Sequence, residues 1–470
     1  MPENDNITRF AFREIISEHA NEINLRKTHD ATPSTEVIFF RNEHRKPFER
    51  EVVHVPSENL RFRKDNGRII SDVFSYEKDK GTLTEKSETA QNIIREFLLK
   101  KDPEKTNELI NSIKVTGQRQ PAIITCDGFL INGNRRKVAI DKLYDDTGDD
   151  QYSTMKVVIL PGPNDPGGPP TIKEIEQIEN RYQLQSEGKS EYYGFDKALS
   201  MRYKIQMGMS LKDQLKDDPQ FANHTDSQLK RVIKKYYTDY LNPLECIDDY
   251  LSMLDRDGLY STISTGPADR EGRWQAFIDY YSKVKQNLTV EKNRIKMFGI
   301  DESEIGNIEE IAFKLIRKRE FRDLPKVHQL MRELPKLIKN PHSKKELYNL
   351  LNIEFELYPE ESFDTDGNEY EEKEKDRIWG KKHESSFLHR VKKAKQYVDY
   401  EKERESSITL LEAALAKLEH ENMEPEAVEI VDLKKAMNLS KEIKETADEL
   451  ESQFYHLQKN WKKQLKDNFN

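Results

Sequence analysis

Cysteine is nearly missing from this 470-residue sequence; Cys126 and Cys246 are its only two. Two thiols build neither a disulfide framework nor a four-cysteine metal site. Long apolar runs are missing as well. No stretch of about 18 uninterrupted apolar residues occurs, so no membrane-spanning helix is expected. The opening residues, Met1-Pro2-Glu3-Asn4-Asp5-Asn6, carry no basic region followed by an apolar run, and no secretory leader is expected. These shortages point to a cytoplasmic protein without a membrane partner. Basic charge is also in deficit: 77 Lys and Arg against 86 Asp and Glu give a net charge of −9. Proteins that coat DNA without sequence preference are usually basic, because phosphate neutralisation drives that affinity. Any DNA contact must therefore come from a local basic surface.

What is present is charge and helical periodicity. Hydrophobic and charged residues each make up 35% of the chain, which suits a soluble, helix-rich protein of two or three domains. Residues 1–50 form an N-terminal extension of mixed composition. Val52, Val53 and Val55 predict a strand, and a charged stretch over 61–86 reads as loops with short elements. Ile93, Ile94, Phe97 and Leu98 mark one face of a helix. Leu109, Ile110 and Ile113 mark another, with Gly117 placed as its C-terminal cap. A strand at 122–126, a tight turn at Asp127-Gly128 and a return strand at 129–131 follow. Val138, Ala139 and Leu143 predict a helix, and residues 157–160 a last strand. The result is an α+β unit over 51–162.

Residues 161–170 read as a linker. Thr171 and Glu174 form a capping-box signature that opens a mostly helical region, divided at about residue 245 into 171–245 and 246–352. Trp274, Phe277, Tyr280, Tyr281, Phe313, Leu315 and Leu330 are read as its core. Residues 354–376 carry 11 acidic side chains against Lys373 and Lys375, so 353–380 is expected to be a solvated acidic linker. Its Asp364-Thr365-Asp366-Gly367-Asn368 is no calcium loop, since Glu369 and Lys375 stand where that loop needs glycine and glutamate. Over 384–470, Ile408, Leu411, Leu415 and Leu418, and then Ile443, Leu450, Phe454, Leu457 and Trp461, follow a three-four apolar spacing. They predict a helical hairpin or coiled coil that serves a homodimer or binds a protein partner. Ordinary packing against the preceding domain is the plain alternative.

The densest chemistry lies at Asn132-Gly133-Asn134-Arg135-Arg136, between a strand and a helix. Gly133 lets backbone approach a ligand, and a helix start favours anions. Two arginines in a first turn oppose the helix macrodipole, a cost that a polyphosphate would offset. The plain reading is two solvated surface arginines.

The run Leu109-x-x-Ser112-Ile113-x-x-x-Gly117-x-x-x-Pro121-x-Ile123-Ile124, then Asp127-Gly128 and Asn132-Gly133-Asn134-Arg135-Arg136-x-x-Ala139, resembles the N-terminal domain of ParB partition proteins, which share a fold with sulfiredoxins. Asn66-Gly67-Arg68 resembles the family's early Asn/Arg segment. Glu179-Asn180-Arg181-Tyr182-Gln183 resembles its Glu-Asn-x-Gln-Arg segment, with one residue inserted. The likeness covers roughly residues 50–240. It implies a nucleoside triphosphate, CTP or ATP, with Mg2+. By position, Gly117, Gln120, Asn132, Gly133, Asn134, Arg135 and Arg136 would surround the nucleotide, and Glu179 and Asn180 would lie near phosphates and metal. The plain reading of Glu179 and Asn180 is an exposed helix face.

The family's loop glutamate is Asn134 here, and an amide cannot accept a proton from water. Only weak nucleotide hydrolysis is therefore expected. The second reading is an enzyme that uses this pocket for nucleotide hydrolysis or DNA cleavage, with cleavage the lesser of the two because no His-Asn-His array or clustered Asp-Glu-Lys motif stands out; the third is a scaffold with a degenerate pocket. Sulfiredoxin chemistry needs a loop cysteine, and the loop has none.

Helices at Phe195-Leu199-Tyr203, after Ser210, and after Thr225 resemble the helix-turn-helix that follows the ParB nucleotide domain, although the loop over 217–224 is longer than usual. The third helix carries Lys230, Arg231, Lys234 and Lys235, residue types that reach DNA phosphates and base edges. The plain reading is a solvated basic face. The sequence thus predicts a ParB-like α+β domain, a large all-α region with a helix-turn-helix-like segment, and long C-terminal helices.

Overall fold

Short runs rich in valine and isoleucine at 52–55, 122–124 and 155–159 behave as strands buried on both faces, which read as continuous apolar stretches. In the computed structural model they belong to a four-stranded mixed sheet made of β1 (Thr35–Ile38), β2 (Phe48–Pro56), β3 (Ala122–Ile124) and β4 (Thr154–Ile159). The structure describes residues 11–467 except 32–33, 39, 41–47, 185–193, 219, 222, 264–271, 365 and 421–422. The first ten residues of the expected N-terminal extension, and parts of the 217–224 loop, lie outside that description.

The sheet order is β1-β2-β4-β3. Its β1–β2 and β2–β4 pairs are antiparallel, and β3 runs parallel to β4. Side chains alternate across it with the period of two that a pleated strand imposes. Val53, Val55, Ala122, Ile124 and Val157 enter one apolar cluster with Ile94, Leu98, Ile113 and Val138. Val52, Ile123 and Val158 enter a second, closed by Ile175 and Ile178.

The helices around this sheet are α1 (Ser17–Arg26), α2 (Ile70–Lys80), α3 (Glu88–Lys101), α4 (Pro103–Thr116), α5 (Asn134–Thr147) and α6 (Ile172–Leu184). Helices α3, α4 and α5 cover the first face. Ile175 and Ile178 place α6 on the second, so packing joins α6 to the sheet beyond the expected boundary at 162. The tight turn forms one residue longer than the Asp127-Gly128 pair: the Gly128 N–H donates to the Thr125 carbonyl at 3.0 Å, so Cys126 and Asp127 are its central residues, and Gly128 follows at φ +86°. Its return arm is shorter than a strand. It bridges at Ile124 and Leu130, but the Leu130 N–H donates to the Arg61 carbonyl at 2.9 Å, and the arm is shared between two neighbours. Helix α2 corrects the loop reading of 61–86; Ile70 and Val73 seat it in the core.

Helices α7 (Gly194–Gln206), α8 (Leu211–Lys216) and α9 (Asp226–Tyr236) follow, and a π-helical turn at Tyr237–Leu241 carries α9 into α10 (Asn242–Met253). Next come α11 (Gly272–Asp279), α12 (Gln286–Leu288), α13 (Glu291–Phe298), α14 (Ile305–Lys318), α15 (Val327–Lys339) and α16 (Pro341–Tyr348). Trp274, Phe277, Tyr280, Phe313, Leu315 and Leu330 are buried together, as read from the sequence. Helix α17 (Glu372–Lys382) corrects the second half of the expected solvated linker. Trp379 is fully buried in it, and Asp376 is 4% exposed because three arginines enclose its carboxylate.

Long helices α18 (Glu384–Leu418) and α19 (Leu433–Asp467) end the described chain. Contacts divide the molecule into residues 1–398 and 399–470. In the second unit Ile408, Leu411, Leu415, Leu418, Ile443, Phe454, Leu457 and Trp461 are all exposed. Their two stripes are uncovered among the described residues. No described helix is long and apolar enough to cross a membrane.

Candidate functional site

The α5 amino end is built by close packing. The Asn132 Oδ1 accepts from the Ile123 N–H at 2.8 Å and ties the loop to β3. Gly133 has φ of +87°, and a Cβ there would lie 2.7 Å from the Ala122 Cβ. Glycine is required at 133 for its backbone and for its lack of a side chain. Asn134 is 6% exposed, and its Oδ1 has no hydrogen-bond partner among the described residues. The first N–H groups of a helix have no partner within it, so this end keeps donors in reserve.

The two arginines are not free. Arg135 pairs with Asp102 at 3.0 Å, and Asp102 also caps α4 just ahead of Pro103. Arg136 Nη1 donates to the carbonyls of Gln120 and Pro121, the latter at 2.9 Å. Burial pulls the Arg136 guanidinium down to about 10, against the opposing pull of Tyr182 and Glu36. Gln120, Asn132, Gly133, Asn134, Arg135 and Arg136 thus meet at one place. Gly117 ends α4 at φ +67° three residues before Gln120, and is exposed. Of the two first-turn arginines expected to need an anion, Arg135 already has an internal one, Asp102. The Asp102-Pro103 pair, a helix start in its own right, is the sequence signal for it.

Glu179 and Asn180 lie in a different setting. Glu179 is 1% exposed, so the exposed-face reading is corrected for it. Its Oε1 accepts from the Gly67 N–H at 3.2 Å, and its Oε2 faces Arg63 Nη1 at 3.5 Å. Arg63 also bonds Glu176, and Asn180 Oδ1 accepts from Lys204 Nζ at 2.5 Å. Burial opposes the charge on Arg63, but Glu176 and Glu179 outweigh it and raise its affinity for the proton. These two residues do not fit Mg2+: a carboxylate already matched to a buried guanidinium has little left for a metal that keeps several waters. The described residues contain no group of three or more His, Cys, Asp or Glu able to hold a metal.

Beside this cluster Asp65 is driven up to about 6, chiefly by burial and partly by Glu85 and Glu176, against Arg63. The Tyr203 hydroxyl donates to it at 2.9 Å. Arg63 and Asp65 were not singled out from the sequence; their nearness to Asn66-Gly67 is the one available hint. Cys126 is buried, and burial pushes its thiol up to about 11, far from the thiolate that sulfiredoxin-like chemistry uses.

Helix α9 has two contrasting sides. Leu229 is buried, and Val232, Ile233 and Tyr236 pack with it against Leu211 and Leu215 of α8. Thr225 opens the helix with a capping box closed by Gln228. Lys230, Arg231, Lys234 and Lys235 are all exposed, and none makes an ion pair with a described residue. Their spacing of one and four residues keeps them on one side of the helix. Lys212, by contrast, pairs with Asp226 at 3.0 Å.

No family model, curated protein or solved structure matches this chain.

Proposed function

We propose that this chain is a DNA-contacting protein of ParB-like type, in which a nucleoside triphosphate at the α5 amino end tunes the contact. The observation that carries the DNA reading is the side of α9 bearing Lys230, Arg231, Lys234 and Lys235, exposed and without a close ion pair among the described residues, while its opposite side is anchored in the α7–α8–α9 core. Free cations on a rigid helix are what phosphates displace counterions to reach, even when the whole chain is acidic. The ParB-like reading is supported by one long-range meeting: Gly67 of the Asn66-Gly67-Arg68 segment bonds Glu179 of the Glu179-Asn180 segment, 112 residues away.

Anisotropy of a labelled duplex, measured from 50 to 200 mM salt, tests the DNA reading. Binding that weakens steeply with salt, and is lost when the four cations become alanine, is the expected outcome. No binding at the lowest salt sinks it.

The nucleotide reading rests on the α5 end, where helix donors, Gly133 and the two arginines converge. A scaffold with a degenerate pocket is the second reading, favoured by Arg135 and Arg136 being already satisfied by Asp102 and two carbonyls. Calorimetric titration of CTP, ATP, GTP and UTP with Mg2+ separates the two. One nucleotide bound by the intact chain, and not by an Arg135→Ala, Arg136→Ala variant, selects regulation. No nucleotide bound, with or without DNA, selects the scaffold.

A further inference from the structure

Asp376 of α17 gathers three buried guanidiniums. It accepts from Arg256 Nη1 at 2.8 Å, Arg317 Nε at 2.9 Å and Arg273 Nη2 at 3.0 Å. Arg256 Nε also pairs with Glu372. Three positive charges therefore face two carboxylates, an excess of one inside the protein. Burial disfavours the Asp376 carboxylate, yet the three arginines outweigh it and hold this group at about 2. A buried charge without a counter-charge is costly, and an anion close by lowers that cost.

A cleft of about 320 Å³ opens beside this cluster. Arg256 and Arg317 line it together with Leu254, Leu259, Phe355 and Leu357. In each arginine two of the three nitrogens are engaged: Nε and Nη1 of Arg256 by Glu372 and Asp376, and Nε and Nη1 of Arg317 by Asp376 and the Phe355 carbonyl. Each Nη2 has no protein partner among the described residues. Lys375, also at the cleft, is occupied by Glu369 and Glu372. Exposed Asp255 and Glu356 give the cleft an acidic rim.

We propose that this cleft binds a small organic monocarboxylate, its head group on the Nη2 atoms of Arg256 and Arg317 and its apolar body against Leu254, Leu259, Phe355 and Leu357. The head group carries one charge because the excess is one, and because the acidic rim repels more. Planar guanidinium matches planar carboxylate, and the apolar walls favour a hydrocarbon over a hydrated inorganic ion.

The test titrates phenylacetate into the full-length chain by calorimetry, beside benzyl alcohol, phenethylamine and inorganic phosphate. Saturable phenylacetate binding is expected, with the three controls weaker by roughly tenfold or more. Arg256→Lys removes one planar fork and is expected to weaken binding by about tenfold. Because that change touches the ion cluster, Ser362→Trp supplies a second variant. Ser362 lines the cleft outside the cluster, and its hydroxyl reaches only the Tyr358 carbonyl at 3.4 Å. Loss of binding by Ser362→Trp with an unchanged melting temperature supports the site. Absent phenylacetate binding, equal binding of benzyl alcohol or phosphate, or undiminished binding by folded Ser362→Trp overturns it.

Discussion

At the scale of single residues, Gly133 and Asp65 carry the sharpest expectations. Adding a methyl group at 133 meets the Ala122 side chain and a left-handed backbone together. Gly133→Ala is expected to destabilise the fold by about 1–3 kcal/mol, read as a lower urea midpoint at unchanged slope. Asp65 bears on pH. Its folded pKa, about 6, lies above its ordinary 3.8, so between those values the folded state holds more protons than the unfolded chain. Stability contributed by this group falls as pH rises from about 4 to 6 and then levels off. Chemical denaturation of the native chain and of Asp65→Asn across that window isolates the group: the native chain's stability relative to the variant should fall as pH rises from about 4 to 6. A native-minus-variant difference that is flat across the window would contradict the raised pKa.

At the scale of elements, the expectation concerns α9. Removing one phosphate-contacting cation lowers the slope of log affinity against log salt by about one. Lys230→Ala and Lys234→Ala are each expected to do this, with little change in melting temperature, since neither side chain has an ion-pair partner to lose. Elements also show what was legible in the sequence. Strands β2, β3 and β4 and helices α3, α4 and α5 were readable because dense apolar periodicity and end signals coincide there. Helix α17 was not, because Ile378 and Trp379 are its only large apolar residues and its fixed point, Asp376, answers to arginines 59 to 120 positions away. The candidate site divides in the same way. Gly133 and the two arginines stand out locally, whereas Asp102, 33 residues upstream, reveals itself as the partner of Arg135 only in the folded chain.

At the scale of the whole molecule, the expectation concerns the apolar stripe of α19, whose Ile443, Phe454, Leu457 and Trp461 are exposed. Ile443, Leu450 and Leu457 recur every seven residues, as do Phe454 and Trp461, which is the spacing of a coiled-coil seam. Sedimentation equilibrium of the full chain is expected to show self-association that Ile443→Glu and Leu457→Glu together abolish. A chain that is monomeric at every concentration would overturn the homodimer reading.

The buried ion pairs that fasten the sheet unit to the helices behind it have a consequence for synthesis. Arg63 is neutralised by Glu176 and Glu179, and Lys101 by Asp72 and by Asp196 on α7 at 3.0 Å. In chain order β4 precedes all three of Glu176, Glu179 and Asp196. Synthesis that stops after β4 therefore leaves Arg63 unmatched and Lys101 half matched. A chain released at residue 162 should be digested readily by protease, and one released at residue 398, which holds all three carboxylates, should resist.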